Sequence, residues 1–506
     1  MKKFYVTTAI AYVNAAPHIG FALEVIQADV LARYHRLKGD DTFYLTGVDE
    51  HGVKIYETAK EAGMETQEFA DLNANKFKAL KGVLNLSNDD FIRTTSDRHK
   101  RGAQKIWQKM FDAGDIYKDK YKGNYCVGCE AFIPDKDLDA DGNCPIHKKK
   151  PNVFEEENYF FKLSKYSDKI RDLIEKDEMK VVPLARKNEI LNIIGEGLKD
   201  VSFSRPKDVL PWGIDVPNDD SQVMYVWCDA LSNYITGIDY ENEGPLFKKF
   251  WPCDAHLIGK DILRFHAGVW IGMLLSAKVP VPKAIYVHGF ITSDGQKMSK
   301  SIGNVVDPLE YVDKYGVDSL RYFLMKEIPT TDDGDFSHKR FIEVCNSELA
   351  NSFGNLLNRV VMMLDRYCEG KVPKVSKNDD VKKISDFLTS AVKKYQDSMD
   401  AYDIKVACET VFSVVDFGNK YIDDKKPWTM AKEENKDLPN VLYNLLEIVF
   451  CATVMLSPII PGSADKVFGQ LGRDAKKISL DFKWGNFKEG EAVNKAEVLF
   501  PRIEEK

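Results

Sequence analysis

The sequence predicts an α/β architecture: a parallel sheet built from βαβ units, interrupted by a cysteine-containing insertion and followed by an all-α C-terminal bundle. Three observations predict it. A β-rich run near the start is followed by a stretch of helical period and then by a second β-rich run. That alternation breaks over residues 116–222, around a cluster of cysteines. From residue 341 onward, long stretches of helical period replace the β-rich runs.

Residues 4–9 read as the first strand, and Ala22, Ile26, Val30, Tyr34 and Leu37 then recur at helical spacing until Gly39 stops the pattern. Residues 41–46 are β-rich again. Strand, helix and strand at this spacing make a parallel unit with a right-handed crossover. Ligands of such sheets bind beyond the carboxyl ends of the strands. The segments that fall there run from Tyr12 to His18 and from Gly47 to Gly52. Apolar runs at 255–259 and 285–290 supply later strands, and the loops after them hold Lys260-Asp261 and a lysine-rich segment. We therefore read residues 1–115 and 223–290 as two halves of one Rossmann-type nucleotide-binding domain. Residues 116–222 are the insertion, 291–340 a loop and linker region, and 341–506 the helical domain. Its helices are expected at 352–364, 381–395, 404–422 and 438–456, where apolar residues keep a helical period.

A chain of 506 residues is too long for one core and suggests about three to four domains. Charged residues make up 29% and the net charge is −7, so no global basic field surrounds the chain. Contact with a polyanion must then use local patches. The first residues read as a strand rather than a secretion signal. The longest apolar run, 448–456, is too short to span a bilayer and is followed by Pro458. A soluble, cytoplasmic protein without membrane partners is expected. Of nine cysteines, three lie within 126–144 and the rest are scattered, which is metal-site usage rather than a disulfide framework.

Cys126-Val127-Gly128-Cys129 is followed by Cys144-Pro145-Ile146-His147. Two ligand pairs, each with a two-residue spacer, offer the tetrahedral Cys₃His set that a structural Zn²⁺ prefers. With Cys126, Cys129, Cys144 and His147 all engaged, no position is open to substrate. One zinc per chain would therefore stabilise a small subdomain that lacks a core of its own.

The lysine-rich segment reads Gly295-Gln296-Lys297-Met298-Ser299-Lys300-Ser301, and the first strand leads into Pro17-His18-Ile19-Gly20-Phe21. Attack of a carboxylate on the α-phosphate of ATP expels pyrophosphate and concentrates negative charge on a pentavalent phosphorus. Lys297 and Lys300, on a Gly- and Ser-containing loop able to close over phosphates, suit that charge. His18, at the turn from strand to helix, suits it too, because its imidazole and the helix N-terminus face the same way.

These two segments resemble the KMSKS and HIGH motifs of class I aminoacyl-tRNA synthetases. KMSKS matches in full, whereas the first motif carries Phe21 in place of its last histidine. Phenylalanine donates no hydrogen bond, so that share of stabilisation is either lost or supplied by another group. The chain is most similar to the methionyl-tRNA synthetase family. Ala9-Ile10-Ala11-Tyr12-Val13-Asn14, Thr46 to Gly52, the zinc knuckle, Tyr225-Val226-Trp227-Cys228-Asp229-Ala230 and Gly259-Lys260-Asp261-Ile262 carry that resemblance.

The resemblance implies ligation of L-methionine to tRNA(Met) through methionyl-adenylate, with ATP and its Mg²⁺ as co-substrate. It implies that Asp49 binds the substrate ammonium and that Ile10, Tyr12, Trp227, Ala230, Tyr234, Ile262 and His266 surround the thioether. Aromatic rings suit polarizable sulfur. For ATP it implies His18, Gly20 and Gly259 around the nucleotide, Asp261 at the ribose, and Lys297 and Lys300 at the transition state. Asn355 and Arg359, four apart, share a helix face. The resemblance makes them, with Trp428, the readers of an unpaired anticodon in an α-helical anticodon-binding domain, Trp428 stacking on a base. No further domain beyond the bundle is visible, so a monomer is expected. The alternatives are a class I synthetase for cysteine, leucine, isoleucine or valine, and a non-catalytic tRNA-binding paralogue. A closed metal set argues against the cysteine enzyme. The insertion is short for the editing domain of the aliphatic enzymes. A binder would not need Asp49, Asp261, Lys297 and Lys300.

Overall fold

The computed structural model describes residues 2–128, 131–133, 135–298, 303–329, 332–376, 379–495 and 497–504. Its central sheet is parallel throughout, in the order Asp90–Arg93, Asp41–Asp49, Lys3–Thr8, Ala255–Gly259, Ala284–His288, Lys180–Val182. The short strand Ala11–Tyr12 pairs with the end of Asp41–Asp49, setting Tyr12 opposite Asp49. Lys3–Thr8 and Ala255–Gly259 are buried almost along their whole length, which is why they read as continuous apolar runs rather than alternating ones. From Lys3–Thr8 the chain builds outward to one side, then returns to place Ala255–Gly259 on the other. That reversal opens a crevice above the carboxyl ends of these two strands.

Helix Ile19–Leu37 packs on the sheet with its apolar residues and even Glu24, Gln27 and Asp29 buried. It ends where Gly39 adopts a φ of 84°, a conformation glycine enters without penalty. Beyond residue 115 an antiparallel sheet forms from Ala131–Ile133, Ile116–Cys126, Asn152–Phe161 and Val201–Ser202. Within the interval expected to be an insertion, strand Lys180–Val182 rejoins the parallel sheet as its edge. At three residues it is too short to display a period.

The C-terminal part is helical: Asn355–Cys368, Asp379–Asp400, Ile404–Lys425, Leu438–Leu456 and Pro461–Gln470. Leu438–Leu456 is long and apolar enough to cross a membrane, yet 89% of it is buried as the central helix of the bundle. Its polar side chains are matched inside the protein. Asn444 donates to the Tyr421 hydroxyl at 3.0 Å, and Glu447 accepts from the backbone N–H groups of Gly485 and Asn486 at 3.1 and 2.6 Å. One continuous core runs from Phe4, Val6 and Ile26 into Leu356, Val411 and Val449. At the seam Arg321, fully buried, donates to Asp29 at 2.7 Å and to the carbonyls of Leu84, Pro458 and Ile459 at 2.8–3.0 Å.

Candidate active site

His18 is the N-cap of helix Ile19–Leu37, with extended backbone, and its Nδ1 accepts from the Gly20 N–H at 3.0 Å. A Cβ on residue 20 would sit 2.9 Å from the imidazole, so only glycine lets the ring fold over the first turn. His18 is exposed, yet enough protein surrounds the ring to lower its pKa by loss of solvation. With Nδ1 accepting, the neutral ring carries its proton on Nε2 and can donate there. The next position is packed: Phe21 meets Phe77 edge to face at 5.0 Å. Its ring belongs to a hydrophobic contact between two helices.

Asp49 ends its strand, buried, beside Tyr12. Beneath it lies a polar chain that sequence reasoning missed. Asp229 accepts from His51 Nδ1 at 2.6 Å and from His99 Nε2 at 2.7 Å, and His99 Nδ1 meets the Thr236 hydroxyl at 2.8 Å. The strand extends three residues beyond the expected 41–46, and that extension brings Asp49 to the crevice.

The expected thioether residues gather around one cluster. Ile10, Tyr12, Trp227 and Ile262 are partly buried against a core that contains Tyr234, while Ala230 and His266 are buried in two helices that touch each other. His266 Nδ1 donates to the Ile262 carbonyl at 3.0 Å, so its Nε2 accepts from the Tyr234 hydroxyl at 2.6 Å. Burial lowers the His266 pKa to about 4, so the ring is neutral. Trp227 stacks on Phe265 at 3.9 Å and turns its plane edge-on to His266. His266 sits in a π-helical turn, Phe265–Trp270, a local widening common at functional sites and invisible to a 3.6-residue period.

Gly259 ends its strand and Asp261 follows, exposed at the mouth of the crevice. Behind them His288 Nε2 meets Glu24 at 2.9 Å, and its Nδ1 lies 2.8 Å from the Gly289 carbonyl. Burial raises the Glu24 carboxyl, while the same burial on His288 is outweighed by Glu24, which raises the imidazole. Neither residue stood out in the sequence; a glutamate inside an otherwise apolar helix face was the available signal. The lysine-rich segment begins as a hairpin, Ile291–Ser293 with Gln296–Lys297. The side chain of Lys297 and the whole of Lys300 lie outside the described residues.

At a separate place, the Sγ atoms of Cys126 and Cys144 lie 3.7 and 3.8 Å from His147 Nδ1, and all three donor atoms fall within 4.8 Å of one another. Tetrahedral coordination by thiolate and imidazole needs an S···N edge of about 3.6 Å, so this donor set fits a metal ion. A Cβ at Gly128 would meet the His147 ring at 2.5 Å, which explains the glycine between the two cysteines. Cys129 lies outside the described residues. In the helical domain, Arg359 lies with its guanidinium 5.6 Å from the centre of the Trp428 ring and 2.9 Å from Asp423. Trp428 is 39% exposed for so large a ring. Asn355, also exposed, opens the same helix one turn earlier, directly after the π-helical segment Cys345–Gly354.

Residues 4–150 and 137–361 match the family described as tRNA synthetases class I (M), and residues 372–506 match the anticodon binding domain of methionyl tRNA ligase. The chain is 42% identical over 510 residues to the methionine–tRNA ligase of Thermotoga maritima, covering 100% of this chain and 81% of that protein. To the methionine–tRNA ligase of Brucella melitensis it is 44% identical over 480 residues, covering 94% and 93%. The solved structure of Mycobacterium tuberculosis methionyl-tRNA synthetase in complex with methionyl-adenylate superposes with a TM-score of 0.96 at 37% identity, over 99% of this chain and 100% of that one.

Proposed function

This chain belongs to the methionyl family of class I tRNA synthetases, and we propose that it joins L-methionine to tRNA(Met) through methionyl-adenylate, releasing pyrophosphate and then AMP. The observation that carries this reading is the shared crevice. The His18-capped helix follows Lys3–Thr8, Asp49 with Tyr12 ends the adjacent strand Asp41–Asp49, and the loop from Gly259 to His266 follows Ala255–Gly259, so all three open on the carboxyl ends of neighbouring parallel strands where the sheet reverses.

In this reading Asp49 holds the ammonium of methionine, and the neutral Tyr234–His266 pair with Trp227 forms the thioether wall. His18 Nε2, at the positive end of the helix dipole, meets the phosphates of Mg²⁺-bound ATP. Asp261 takes the ribose hydroxyls, and Lys297 and Lys300 close on the charge that develops at the α-phosphorus. Asn355, Arg359 and Trp428 read the anticodon. Zn²⁺ is the metal we assign to Cys126, Cys129, Cys144 and His147, holding the knuckle closed and taking no part in the reaction. The reading includes a cytoplasmic monomer; the most apolar helix, Leu438–Leu456, is buried inside the bundle.

Exchange of labelled pyrophosphate into ATP, run with each of the twenty amino acids in turn, tests the reading. Methionine alone should support it. Exchange with another amino acid, or with none, would reject the assignment. Lys300→Ala should depress that exchange far more than methionine binding, because its charge is needed chiefly in the transition state.

A further inference from the structure

We propose that Asp333 and Asp335 are positioning residues that set the nucleotide-binding loop and the lysine-bearing hairpin relative to one another, an inference that rests on the activation reading above. Both carboxylates come from one short segment. Strand Gly334–Phe336 pairs in parallel with Ile291–Ser293, which places Thr292 opposite Asp335. Its neighbours point to two different parts of the site.

Asp335 serves the hairpin. Its Oδ1 accepts from the Thr292 hydroxyl at 2.6 Å and from the Gly295 backbone N–H at 2.8 Å. Asp294 and Gly295 form the turn, with φ of 49° and 74°, the left-handed pair that a tight hairpin requires. One carboxylate oxygen thus fixes both the strand that enters the turn and the turn itself. Gln296–Lys297 leaves that turn and pairs back on Ile291–Ser293, with Lys297 opposite Thr292. The direction in which the lysine loop departs is therefore set at Asp335.

Asp333 serves the nucleotide loop. Lys260, the residue before Asp261, bonds both its oxygens at 2.7 Å. Asp333 Oδ1 also accepts from the Phe290 backbone N–H at 2.9 Å, and the Lys260 ammonium lies 4.5 Å from the centre of the Phe290 ring. Phe290 immediately precedes the strand that enters the hairpin. With only Gly334 between them, the two aspartates make one rigid link from Asp261 to the base of the lysine loop. Neither contact reaches the reacting atoms, so the two residues act through others.

The link predicts a split in kinetic constants. Asp333→Ala frees the loop that carries Asp261 and should raise the KM for ATP about tenfold in pyrophosphate exchange with little change in kcat. Asp335→Ala loosens a loop needed at the transition state and should lower kcat about tenfold with the KM for methionine unchanged. Asp335→Asn keeps an oxygen that accepts both bonds and should return to within about twofold of the parent. Parent-like kcat in Asp335→Ala overturns the role, as does an Asp335→Asn variant as impaired as Asp335→Ala. So does loss of methionine affinity in step with kcat. A parent protein that exchanges no pyrophosphate with methionine removes the activation reading and this role together, whereas an active parent with indifferent variants removes the role alone.

Discussion

Asp229 receives His51 Nδ1 on one oxygen at 2.6 Å, and that bond joins the loop of Asp49 to the helix that carries Trp227 and Ala230. Its other oxygen receives His99 at 2.7 Å, so the carboxylate is clamped from both sides. Burial opposes its charge, but the two imidazoles outweigh burial and hold its pKa down to about 2. The two walls of the proposed methionine pocket are thereby joined by buried, charge-assisted hydrogen bonds.

Removing that clamp should cost stability as well as affinity. Asp229→Ala leaves two buried imidazoles without their acceptor and is expected to destabilise the fold by roughly 3–5 kcal/mol, measured by urea unfolding. The pH dependence has a definite sign. With the folded pKa near 2 and an unfolded value of about 3.9, the unfolded chain binds more protons between them. The contribution of Asp229 is complete above about pH 4 and is lost as pH falls toward 2, a loss the alanine variant should not show.

His266 should keep methionine binding insensitive to mild acid. Its pKa of about 4 lies below an unfolded value of about 6.5, so its stabilising contribution is present above about pH 6.5 and is lost as pH falls through 4. Methionine affinity, followed by tryptophan fluorescence, should therefore be flat from about pH 8 to 5.5. Tyr234→Phe removes the donor to Nε2 and should weaken binding by about 2- to 12-fold. Unchanged affinity would show that this hydroxyl does not shape the pocket.

Metal analysis should find one zinc per chain. Cys126→Ser, or prolonged chelation, should expose residues 116–161 to protease before it lowers pyrophosphate exchange, because the donors lie apart from the crevice. Protein purified without chelator that carries no metal would remove the assignment.

Trp428→Ala should leave methionine activation at the parent level and reduce aminoacylation. Stacking on a base contributes roughly 1–3 kcal/mol, or about a 5- to 150-fold loss in kcat/KM for tRNA at fixed salt. Parallel loss of both activities would make Trp428 a structural plug.

Phe21→His, which would restore the usual motif, should not speed the enzyme. The ring is committed to Phe77, and an aromatic pair of this geometry contributes about 0.5–1.5 kcal/mol beyond its buried area. We expect a lower Tm and an exchange rate no higher than the parent's; faster exchange at unchanged Tm would contradict this.

Much of the fold was legible because its elements are long or continuously apolar. Residues 404–422 and 438–456, expected to be helical, lie within Ile404–Lys425 and Leu438–Leu456, and the run 255–259 is a strand over the same residues. The family was legible from contiguous motifs, each of which can be read without knowing the fold. What escaped depends on contacts across the chain. His51, His99 and Asp229 are far apart in sequence and mean nothing singly. Asp333 and Asp335 read as ordinary loop acids. The π-helical turn at His266 changes no residue type that a helical period would register, and Lys180–Val182 is too brief to show alternation.

The burial of Arg321 bears on how the molecule comes apart. Its guanidinium, fully buried, bonds the capped helix through Asp29 and the bundle through the carbonyls of Pro458 and Ile459. Prying the bundle away would break these bonds and expose the continuous apolar core that the two parts share. The catalytic half and the RNA-reading half should thus melt as a single cooperative unit, one calorimetric peak rather than two, and a lesion near the anticodon bundle's seam can silence adenylate chemistry without altering one residue that touches it.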